Sequence, residues 1–174
     1  MWARDALELI FPARIAGDYR FLLKCSDRPV RGAPWVRKVE PASVDYRMIR
    51  PVGLRSQTAV IPAGGSFTVR LQLRDCFENH IEAGEEHCDQ LQVLVDSDAF
   101  YEIEPSNSLP RYVQVKFSFT SQTCDAFPVF LKYNGNVVAS LQLLVLTADK
   151  LEVVNNYVTR LGFQLLFLFL SSSG

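Results

Sequence analysis

Apolar and polar residues alternate along most of this chain at the two-residue period of a half-buried strand. From Ser66 to Arg74, Phe67, Val69, Leu71 and Leu73 interleave with Thr68, Arg70, Gln72 and Arg74, giving one inward and one wet face. Leu91, Val93 and Val95 alternate with Gln92 and Leu94, and Val113, Val115, Phe117 and Phe119 alternate with Tyr112, Gln114, Lys116 and Ser118. Phe127, Val129, Leu131 and Tyr133 lead into Asn134-Gly135, the dipeptide that best tolerates the positive φ angles of a tight hairpin turn, and Val137 to Leu146 supplies the return strand. An opening strand is predicted between Tyr46 and Ala59, ahead of the Pro62-Ala63-Gly64-Gly65 turn.

Six or seven strands over roughly a hundred residues match the size and spacing of an immunoglobulin-like antiparallel sandwich, so the expected fold class is all-β. A shorter pattern precedes it. Tyr19, Phe21 and Leu23 oppose Asp18, Arg20, Leu22 and Lys24, a polar turn follows at Ser26-Asp27-Arg28, and the chain resumes an extended run from Trp35 to Val39 after a kink marked by Gly32 and Pro34. These segments are predicted to pair as a hairpin with a bulged return strand, with a further strand upstream where Leu7, Leu9 and Phe11 alternate with Glu8 and Ile10. Three strands cannot close a sandwich. Residues 1–40 therefore read as the C-terminal strands of an incomplete sandwich repeat, residues 41–147 as a divergent complete one, and residues 148–174 as a linker and the start of a truncated region. In such an incomplete repeat Tyr19, Phe21 and Trp35 would lie uncovered and favour self-association.

Composition narrows the function classes. Of 174 residues, 48% are hydrophobic, enough for a proper core, and the formal net charge of -1 gives no electrostatic footprint for nucleic acid or anionic lipid. The apolar run from Leu161 to Leu170 is about half the roughly 20 residues that a membrane-spanning helix needs, so a buried strand separated from its domain is expected there and no membrane span. Met1-Trp2-Ala3-Arg4-Asp5 lacks the features of a secretory signal, so a cytoplasmic location is expected and free thiols are favoured over disulfides, with pairing left open by the even count of four cysteines.

Candidate chemistry is sparse. Cys25, at the end of a strand, and Cys124, before Phe127, have no basic neighbour placed to lower a thiol pKa, and both are expected to be structural. Cys76, His80, His87 and Cys88 are ligand-type residues, but adjacent His87 and Cys88 would point to opposite sides of an extended chain. An acidic surface loop is favoured there over a zinc site. Asp75, at a strand end ahead of Asn79, is placed to accept hydrogen bonds from loop amides. No nucleophile turn accompanies it, and Ala63-Gly64-Gly65 lacks the Lys and hydroxyl residues of a phosphate cradle. No catalytic residue, cofactor or metal is expected.

Ala16-Gly17-Asp18-Tyr19 followed by Pro29-Val30-Arg31-Gly32-Ala33-Pro34-Trp35 resembles the ending of a filamin-type immunoglobulin repeat, with Ala33 for the usual Ser and Trp35 for the usual Phe. Leu73-Arg74-Asp75-Cys76-Phe77-Glu78-Asn79 and Phe130-Leu131-Lys132-Tyr133-Asn134-Gly135 also resemble filamin repeats, although Val137 to Leu143 lacks the family's usual ending. The whole arrangement, running on through Val145-Leu146-Thr147-Ala148-Asp149-Lys150 to Val158, is similar to the filamin-like N-terminal region of HECT-type E3 ubiquitin ligases. That resemblance implies a non-catalytic interaction or scaffold module of an enzyme concerned with ubiquitination and restraint of apoptosis, its thioester cysteine lying elsewhere. Resemblance to filamins as a group implies instead a cytoskeletal scaffold fragment. Either way it implies protein partners bound at a strand edge or sandwich face beside the penultimate strand, with Phe127, Val129, Phe130, Lys132 and Tyr133 as the candidate residues.

Overall fold

The structure is a computed structural model that describes residues 10–54, 57–95, 99–120 and 124–152. The predicted strands at residues 7–11 and 161–170 therefore fall largely or wholly outside the described residues. In the main body the alternating segments form β5 (Arg50–Val52), β6 (Thr58–Pro62), β7 (Ser66–Gln72), β8 (Leu91–Val95), β9 (Phe100–Pro105), β10 (Tyr112–Ser118), β11 (Ala126–Tyr133) and β12 (Asn136–Leu146). They make two four-stranded sheets, ordered β5-β7-β10-β9 and β6-β12-β11-β8. The inward residues of both sheets meet in one core, in which Val69, Leu71, Val115, Phe117, Val129, Leu131, Leu143 and Val145 are fully buried. This is an all-β, immunoglobulin-like sandwich, antiparallel throughout its described pairings except between β6 and β12, as the pattern of apolar positions largely implies.

The opening strand departs from expectation. Residues 46–48 form a 3-10 turn, and the rest divides into β5, antiparallel to β7, and β6, parallel to β12 in the other sheet. Between them Gly53 adopts φ +83°, a left-handed conformation that lets the backbone change sheets. Strand β9 and a short helix α1 (Glu85–Asp89), which touches β8 and β9, were not evident from the pattern. At the β11–β12 hairpin, Asn134 and Gly135 take φ 47° and 78°, as the Asn-Gly signal predicts. Gly135→Val is expected to destabilise the chain by about 1–2 kcal/mol through left-handed strain, measurable as a lowered urea midpoint with unchanged slope.

Residues 10–40 form a separate ribbon. Strands β1 (Gly17–Phe21) and β4 (Trp35–Val39) pair antiparallel in unbroken register, with Phe21 opposite Trp35 and Gly17 opposite Val39. The expected bulge is absent, because β2 (Lys24–Cys25) and β3 (Arg28–Pro29) take up the intervening residues in their own hairpin. Its turn residues Ser26 and Asp27 have φ 47° and 61°. Half-buried Tyr19, Phe21 and Trp35 share one face of the ribbon, and the Phe11 ring meets those of Tyr19 and Phe21 edge-on at 5.4 and 5.5 Å. No ribbon strand pairs with a sandwich strand among the described residues.

Candidate functional site

The strand singled out from the sequence lies inside its sheet. β11 is hydrogen-bonded to β12 on one side and to β8 on the other, so it offers no free edge. Its inward residues Phe127, Val129 and Tyr133 are buried in the core, where burial, with smaller contributions from Glu86 and Cys88, pushes the Tyr133 phenol up to about 12. Phe130 and Lys132 lie on the outer face. The open edge beside β11 is β8, whose outward Leu94 stands opposite Phe130, and whose Gln92 stands opposite Lys132. Leu94 and Phe130 are 46% and 41% exposed, an apolar pair next to an edge paired on one side alone among the described strands.

A second edge follows along the chain. β9 is the outermost strand of the other sheet and carries Phe100 and Tyr101 exposed, the first to 71%. Sequence reasoning missed it, although the run Phe100-Tyr101-Glu102-Ile103 has the aromatic and β-branched content of a strand. The edge strands β8 and β9 are separated by only four residues, and β5 and β6 stand at the opposite ends of their sheets. One flank of the sandwich is thus bounded by two strand edges with exposed aromatic and aliphatic side chains.

The Cys and His residues are dispersed over different roles. The Cys76 thiol is exposed. His80 pairs with Arg74 in an isolated bridge, and its Nδ1 is buried with no hydrogen-bond partner. His87 Nδ1 accepts from the Gly84 amide at 3.0 Å and so caps α1, which also holds Cys88. Among the described residues no group of three His, Cys, Asp or Glu side chains is arranged to hold a metal ion. Asp75 is fully buried and accepts from the amides of Ala42, Phe77 and Asn79 and from Asn79 Nδ2, at 2.8–2.9 Å.

Two cysteines correct the sequence expectation. Cys25 is exposed, because it ends a two-residue strand on the outside of the ribbon. Half-buried Cys124 does have a basic neighbour, brought from 26 positions away, since Lys150 Nζ donates to its Sγ at 3.2 Å. That hydrogen bond, aided by the Thr147 backbone, lowers the Cys124 thiol, whereas burial and then the carboxylates of Asp89, Glu85, Glu86 and Glu104 raise that of Cys88. Iodoacetamide at neutral pH is expected to alkylate Cys124 several-fold faster than Cys88, read by timed quench and peptide mass mapping, and Lys150→Met should remove much of that advantage.

No protein-family model matches the chain, and no curated protein matches it. Among solved structures it is similar to FdeC, an Escherichia coli adhesin, with a TM-score of 0.53 and 16% identity over 76% of this chain and 41% of that one. It is also similar to the Lin-41 filamin domain, with a TM-score of 0.46 and 13% identity over 60% of this chain and 97% of that one. Domains 4 and 5 of the S-layer protein SbsC give 0.46 and 14% over 75% of this chain and 66% of theirs. At 16% identity the likeness to FdeC concerns the fold alone. Among the described residues no helix is long and apolar enough to cross a membrane.

Proposed function

We propose that this chain is a protein-interaction and scaffold module, with the open edge of β8 and the adjoining Leu94–Phe130 pair as its working surface. The observation that supports this most is the edge itself. A strand paired on one side alone presents free backbone donors and acceptors to an extended peptide, and side chains at alternate positions on the face supply selectivity. Panning a displayed random-peptide library on the immobilised chain tests the idea. Selected peptides should slow hydrogen exchange in β8 and lose binding with Leu94→Lys or Phe130→Lys. Peptides that protect only other strands, or no selected binders at all, would refute it.

In its finer form the proposal places the module in the non-catalytic filamin-like region of a HECT-type ligase such as the apoptosis-resistant E3 ubiquitin ligase. There it would act in the cytoplasm by choosing substrates or holding the enzyme in shape. Support comes from the Gly-Ala-Pro-Trp ending at Gly32 to Trp35 and the Val145 to Val158 run. Sequencing the full-length transcript beyond Leu170 is the direct test: a HECT lobe bears the assignment out, and further filamin repeats replace it with a cytoskeletal scaffold. Self-association belongs to the same proposal, because Ile10, Phe11, Ile15, Leu22 and Val36 are exposed on or beside the ribbon. Sedimentation equilibrium should show a concentration-dependent mass, and a strict monomer would exclude it.

A further inference from the structure

The ribbon of residues 10–40 and the sandwich share no strand pairing among the described residues, yet they are joined at one well-defined place. The loop after β7 turns back through Asp75, whose backbone amide donates to the Asn79 carbonyl at 3.1 Å, while Glu78 takes a left-handed φ of 66°. This turn aims the Asn79 side chain at the ribbon. Asn79 Oδ1 accepts from the Ala16 amide at 2.9 Å, and Asn79 Nδ2 donates to the Arg14 carbonyl at 2.8 Å. The same Nδ2 also donates to Asp75 Oδ2, which accepts in turn from the Ala42 amide at 2.9 Å. The connecting segment is fixed a second time where the Asp45 amide donates to the Arg74 carbonyl at 2.9 Å.

We infer that Asp75 and Asn79 form a joint that locks the ribbon to the end of the sandwich and makes the two move as one body. A primary amide carries a donor and an acceptor in the arrangement of a peptide group, so Asn79 grips residues 14 and 16 much as a neighbouring strand would. Fully buried Asp75 holds that amide in place from behind and ties in the connecting segment through Ala42. Ile15, beside the gripped residues, is 71% exposed and so adds little apolar burial to the joint. Its consequence is a fixed direction of the ribbon's aromatic face relative to the β8 edge, so two surfaces are presented in one geometry. Asn79 is a positioning residue. The inference does not depend on the proposed working surface.

Residual dipolar couplings measured on the whole chain test it. In the wild type, amides of β1 and β4 and amides of β7, β10, β11 and β12 should fit a single alignment tensor. In Asn79→Ala the ribbon's alignment magnitude should fall to about two thirds or less of the sandwich's, and the Ala16 amide should exchange at least about tenfold faster, while the sandwich couplings stay as they were. Should Asn79→Ala fail to fold, Asn79→Asp reports the same property, since it keeps the Oδ1 acceptor but loses donation to the Arg14 carbonyl and sets a second carboxylate against Asp75. Two tensors in the wild type, or a single tensor of equal magnitude for ribbon and sandwich in whichever variant folds, would overturn the joint.

Discussion

Asp75→Ala is expected to reduce the unfolding free energy by about 3 kcal/mol, one of the larger losses available to a polar substitution in this chain. The side chain is fully buried and its two oxygens accept four hydrogen bonds, from three backbone amides and the Asn79 amide. Alanine would leave these donors without a partner in a place that water reaches poorly, and an orphaned buried donor costs more than the bond it made was worth. For a domain of about a hundred residues the midpoint of thermal unfolding should fall by roughly 12–20 °C. Calorimetry decides the matter: a shift of only a few degrees would mean that the loop reforms its contacts without the carboxylate.

The same group sets an acid limit on the fold. Burial by itself raises the Asp75 carboxyl, but the hydrogen bonds from Asn79, Ala42 and Phe77 outweigh it and hold the group below its ordinary 3.8. A carboxyl depressed in the folded state stabilises fully above its unfolded pKa and loses that contribution as pH falls through the folded value. His80 adds an earlier loss. Burial, then Arg74 and Arg111, lowers it from its ordinary 6.5, so the unfolded chain takes up a proton first and stability begins to fall as pH drops below that value. Urea midpoints followed from pH 7 to pH 3 should decline in two stages, and Asp75→Asn should flatten the lower stage while leaving the upper one in place.

Asp75 also shows how far local sequence carries. Its position at a strand end, four residues before Asn79, already implies amide acceptance, and the loop bonds are there. That Ala42 is a donor, and that Asn79 reaches back 63 and 65 positions to the ribbon, depends on how the connecting segment packs, which no local pattern encodes. The strands with a clean two-residue period, β7, β8, β10 and β11, were legible because one face is buried and the other wet. β9 was not, since its first three residues are exposed on both faces at a sheet edge. Likewise Cys124 looks inert in sequence, because Lys150 reaches it only through the fold. The local pattern places the candidate residues on β11, whereas which strand forms the open edge beside them, β8, is set by the order of strands in the sheet.

The second large effect separates the two faces of β11. Leu131 is fully buried, paired with Val93 on β8 and with Ala139 on β12, and belongs to the core shared by both sheets. Leu131→Ala removes three carbons from a closely packed interior and should cost about 3–4 kcal/mol, the transfer term plus that of a cavity the flanking strands cannot fill. Phe130, one residue away, is 41% exposed on the outer face, and Phe130→Ala should cost less than about 1 kcal/mol. The contrast depends on register. A shift between Leu131 and Lys132 pairs them with Ala139 and Val137, leaving Val138 as the extra residue of a bulge. Without it Val137 would stand opposite the wrong face of β11, and a slip of one residue exchanges the inward and outward sets. Denaturation of the two alanine variants side by side reads this directly. Comparable losses at 130 and 131 would mean that the outer face of β11 is covered, and the apolar pair beside the β8 edge would then be closed to a partner.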